Sequence, residues 1–168
     1  MGTLDNEFVK FGRTIAEVVK HRGKVTAQEL DANIGFILLD KEERKGLASF
    51  TRGERFVYAI EGMVREVNNG GWNQFFRNSS GALAFDLAPA LEAVGSKKNL
   101  SIAQRALNIF GKPASLSEDD RGKQVDKVTK DGENNPWDAL EGEFYQNPED
   151  LEAMIVEFIA RNQAEFGE

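Results

Sequence analysis

Thr51-Arg52-Gly53-Glu54-Arg55-Phe56-Val57-Tyr58-Ala59-Ile60-Glu61-Gly62-Met63-Val64-Arg65-Glu66-Val67-Asn68-Asn69-Gly70-Gly71-Trp72-Asn73-Gln74-Phe75-Phe76 decides the fold class. Thr51 and Glu54 stand in the reciprocal capping spacing that opens a helix. Phe56, Val57, Ile60, Met63, Val64 and Val67 then recur with a period of 3.6, so one face of that helix is apolar. The Asn-Asn-Gly-Gly string stops it, because a glycine adopts the left-handed backbone that helix ends require. Trp72, Phe75 and Phe76 resume the helical spacing as a short aromatic-faced helix.

The same signals recur outward from this stretch. Towards the N-terminus, Phe8, Phe11, Ile15, Val18 and Val19 predict a helix over about residues 4–20. Thr26/Glu29 and Asp40/Glu43 repeat the capping spacing and predict two further starts, with Ile34-Gly35-Phe36-Ile37-Leu38-Leu39 between them as buried connection. Towards the C-terminus, Asn78-Ser79-Ser80-Gly81 turns the chain into a helix ending near Val94, in which Pro89 predicts a kink or break near Leu87. Helices follow over about 100–110, closed by Gly111 and Pro113, and over about 118–130, opened by Ser117. After the loop 131–135, the only plausible linker, Trp137, Leu140 and Phe144 mark a short helix. Asn147-Pro148-Glu149-Asp150 starts a last one with Leu151, Ile155, Phe158 and Ile159 inside. No alternating strand pattern intervenes. The expectation is an all-α fold, a single compact multi-helix domain over residues 1–168, with the N-terminal helix packed on the rest.

Composition removes most chemistry. There is no Cys and a single His, so thiol nucleophiles, disulfides and thiolate metal sites are excluded, and a triad has only His21, a solvated residue at a helix end. Glu118-Asp119-Asp120 reads as first-turn acids favoured by the helix dipole. No phosphate loop or metal-ligand spacing occurs. The reading is of a non-enzyme with no metal and no cofactor. The N-terminus lacks a signal-peptide pattern and no run is long enough for a membrane span, which predicts a cytoplasmic protein without membrane contact.

Charge is uneven. The chain carries −7 in all, yet residues 131–168 hold 11 acids against Arg161, a net of −10, while residues 1–130 net +3. Such a segment repels nucleic acid and attracts basic surfaces. On the two last helices Asp138, Glu141, Glu143, Glu149, Asp150, Glu152 and Glu157 flank the apolar stripes, and these seven are the candidate partner-binding residues.

The most unusual string is Glu66–Gly81. Asn68, Asn69, Gly70, Gly71, Trp72, Gln74, Phe75 and Asn78 read chiefly as a structural corner of turn, buried aromatic and cap. An alternative is a polar pocket beside Trp72, formed with Asn73, that serves a small-molecule binder or enzyme. With Ala90–Gly95, Ala103–Phe110 and Leu140–Tyr145, this string resembles the small bacterial all-helical family of the DNA-mimic protein type, over about residues 40–166. The resemblance implies an all-α fold and, from the family's named member, an acidic dimer that occupies the DNA-binding surface of a transcription factor. It carries over no partner-binding residue. The expected function is therefore a binding protein for a basic partner, by DNA mimicry or as an inhibitor or immunity-type protein.

Overall fold

The computed structural model describes residues 9–111, 117–146 and 149–166, and among them the fold class is all-α, with no strand. Contacts gather in two compact units, residues 1–58 with 150–168, and residues 59–149. The loop 131–135 lies inside the second unit.

The first unit opens with a helix much shorter than the sequence predicts. Residues 9–14 are not helical, and α1 spans Ile15–Val19. Thr14 and Glu17 form a reciprocal cap that sets this start. A side chain at Gly12 would come within 2.5 Å of Glu17 Cβ, so the glycine lets the cap close. The part of the predicted helix before residue 9 lies outside the described residues.

Helix α2 spans Ala27–Lys45 and starts at the predicted Thr26/Glu29 box. It runs through 34–39, correcting the expected connection. Leu30, Ile34 and Leu38, each one turn apart, are buried. Asp40 opens no helix but pairs with Arg44 one turn on. A capping spacing preceded by no break is only surface chemistry on a continuing helix.

A left-handed Gly46 and a 3-10 turn, Leu47–Ser49, lead to α3, Arg52–Arg77. Thr51 accepts from the Glu54 N–H at 3.2 Å and its own N–H donates to Glu54 at 2.8 Å, as predicted. The unit closes with α8, Leu151–Arg161, capped by Asp150 through the Ala153 N–H. The predicted cap Asn147 and Pro148 lie outside the described residues. Within this unit α1 and α8 both pack on α2, burying Ile155, Phe158 and Ile159 of α8.

In the second unit the end of α3 is followed by a 3-10 turn, Ser79–Leu83, then α4 Ala84–Val94, α5 Lys97–Phe110, α6 Glu118–Thr129 and α7 Asp138–Tyr145. α4 passes through Pro89 unbroken, against expectation. It begins only at Ala84, so the proline sits in its second turn and costs few backbone bonds. Gly111 is left-handed at the end of α5, and Pro113 is outside the described residues. Trp72, Phe75, Phe76, Phe110 and Trp137 form a fully buried aromatic core. Phe76 stacks on Phe110 at 4.2 Å, and Trp137 donates its Nε1–H to Ala106 O.

Candidate functional site

Two residue groups carry functional expectations, the Glu66–Gly81 corner and the seven acids. The corner is built around a bend in α3. Gly71 takes φ 75°, ψ −172°, a conformation open essentially only to glycine, whereas Gly70 at φ −156°, ψ 21° leaves the helical region without entering positive φ. A bend of this kind strands one backbone donor and one acceptor. α7 supplies both partners from positions one turn apart. Glu141 accepts the Trp72 N–H at 2.8 Å, and the Tyr145 hydroxyl donates to Val67 O at 2.8 Å. A Cβ at Gly71 would collide with the Glu141 carboxylate, so this glycine is required twice.

Most polar side chains of the corner are engaged within the protein, although the buried Trp72 Nε1–H has no hydrogen-bond partner among the described residues. Glu66, 7% exposed, is the hub. Gln74 and Asn78 each donate an amide N–H to its Oε2 at 2.8 Å, Ser80 donates to Oε1 at 3.3 Å, and Arg65 pairs with it at 3.4 Å. Burial pushes its carboxyl up, but the Gln74, Asn78 and Arg65 donors outweigh this and hold it below the ordinary carboxylate range. Asn73 accepts from Arg77, and Asn68 donates to Val64 O. Asn69 is exposed. Trp72 and Phe75 are fully buried edge to face at 5.5 Å, so the indole offers no stacking face to a ligand. Arg121 was not singled out from the sequence, yet it is buried and donates to Phe76 O and Asn78 O, closing the end of α3. An arginine on a polar helix gives no sign in sequence that it will be enclosed.

The seven acids do not form one described row. Asp138, Glu141, Glu143 and Glu149 belong to the second unit, and Asp150, Glu152 and Glu157 to the first. Several have structural work. Glu141 holds the α3 bend and accepts from Asn135. Glu149 takes the Ser96 hydroxyl at 2.6 Å and the Lys98 and Asn99 N–H groups, capping α5 where Ser96 itself makes no side-chain cap. Its burial pushes the carboxyl up, and these donors overcome that and lower it. Asp150 caps α8. Glu143 pairs with Arg105 at 2.5 Å and Glu157 with Arg22 at 3.1 Å, both in exposed positions. Asp138 is exposed and Glu152 half-buried.

Among the described residues no group of carboxylates or His could hold a metal ion, and no helix is long and apolar enough to cross a membrane. A family model described as DMP19-like protein matches residues 48–162. No curated protein and no solved structure matches the chain.

Proposed function

The chain belongs to the DMP19-like family, and on that premise we propose that it is a non-enzymatic protein whose acid-rich last quarter engages a partner with a basic, DNA-binding surface. DMP19 proteins are DNA mimics and not a known enzyme family, which fits this role. The observation that carries the proposal is the net charge of −10 over residues 131–168. Duplex DNA presents one charge per roughly 1.7 Å of axis, and carboxylates on helix exteriors can meet the same Lys and Arg side chains. A transcription factor is the partner class that mimicry favours, direct nucleic-acid contact is disfavoured, and a homodimer would repeat the acidic surface.

Of the seven acids, Asp138, Glu143, Glu152 and Glu157 are the ones to meet a partner. The Arg105 and Arg22 pairs are exposed and weak, so a partner's cations can replace them. Glu141, Glu149 and Asp150 hold backbone N–H groups instead. The test joins an affinity capture from the native host with the combined variant Asp138→Asn, Glu143→Gln, Glu152→Gln, Glu157→Gln. The proposal expects a stoichiometric basic protein with the parent chain and its loss with the variant at unchanged circular dichroism. A partner retained by the variant would refute the assignment.

A further inference from the structure

Asp31 lies on α2, half-buried, and its Oδ1 is shut off from solvent with no hydrogen-bond donor among the described residues. The charges that act on it are Glu152 and Asp150, both from the start of α8, which packs on α2. Among the described residues no other element against α2 brings a cation that acts on Asp31. α1 carries only Glu17, whose carboxylate accepts the Arg13 and Thr14 N–H groups. Arg22, after α1, is engaged by Glu157 further along α8, and Lys10 by Glu29. The 3-10 turn Leu47–Ser49 is uncharged. On α2 itself the residues one turn away are Ala27, Gln28, Ile34 and Gly35. Asp31 thus feels two further carboxylates, and among the described residues no cation offsets them.

We infer that the contact between α2 and the start of α8 is a pH-sensitive device, in which Asp31 holds a proton when α8 is fully seated and loosens it on ionising. An ionised carboxylate there leaves a buried acceptor oxygen without a donor and adds repulsion against two further carboxylates. The protonated group removes the charge and gives the cluster an O–H to share. Burial first, then Glu152 and Asp150, push the Asp31 carboxyl from its ordinary 3.8 up to about 7. The folded chain therefore binds this proton more tightly than the unfolded chain does. The stabilisation is complete below the ordinary value and is lost as pH rises through about 7.

Amide hydrogen exchange along α8 of the full chain, at pH 5.5 and pH 8 and corrected for intrinsic exchange chemistry, tests the device. In the parent chain the opening constant of α8 should rise about tenfold or more between the two conditions. In Asp31→Asn, which keeps the shape of the protonated acid, protection should be the same at both and no lower than that of the parent at pH 5.5. Unchanged protection in the parent, or a pH-dependent loss that persists in Asp31→Asn, overturns the inference. Should that variant not fold, carboxyl carbon NMR of the parent decides. A midpoint for Asp31 near 7 supports the device, and one near 4 refutes it.

Discussion

Two adjacent glycines at the α3 bend have different physical jobs. Gly71 has positive φ and no room for a Cβ beside the Glu141 carboxylate, so Gly71→Ala should cost about 1–3 kcal/mol in denaturant unfolding. Gly70 has negative φ, and its Cβ would meet Gln74 Oε1 and, at 3.0 Å, Gln74 Cβ, so Gly70→Ala must shift the Gln74 side chain but forces no positive φ and should cost less. Glu66→Ala leaves the Gln74, Asn78 and Ser80 donors without their acceptor and should destabilise by about 1–3 kcal/mol. That a glycine must sit here with special backbone geometry is legible in the Asn-Asn-Gly-Gly string. Which one it is depends on where α7 places Glu141, 70 residues further on, and a single chain does not carry that. The burial of Glu66 was equally hidden, because a carboxylate is exposed by default and its donors come from 8 to 14 residues later.

Elements were legible where their ends are written locally, as at Thr26/Glu29, Thr51/Glu54 and Ser117. They were misread where a cap-like spacing lay inside a continuing helix, as at Asp40, or where a proline falls early in a helix that starts later than expected, as at Pro89. The start of α5 shows a third case, since its cap is Glu149 from beyond α7. Glu149→Ala should therefore cost about 1 kcal/mol, the usual worth of a lost N-cap, and increase hydrogen exchange at Lys98 and Asn99. Exposed Asp138→Asn should leave stability unchanged within about 0.5 kcal/mol in the same unfolding assay.

For the molecule as a whole, the titrating groups set opposite slopes. Glu66 and Glu149 have lowered carboxyls, so the folded chain binds their protons more weakly and their contribution is present above the ordinary value of 4.5 and lost as pH falls below it. Asp31 acts in the reverse sense as pH rises towards about 7. Thermal unfolding measured against pH should then show greatest stability in the mildly acidic range between these two losses. The all-α class followed from periodicity and caps alone. The uneven charge was also legible, but the division of the acids between structure and surface was not, since it rests on which N–H groups each carboxylate reaches. The most direct test of the binding role is competition at several salt concentrations. The captured partner, bound to this chain, is challenged with its own duplex DNA. The account predicts that DNA and the chain exclude one another and that the logarithm of the chain's affinity falls steeply with the logarithm of salt concentration. A ternary complex with DNA, or an affinity indifferent to salt, would contradict it.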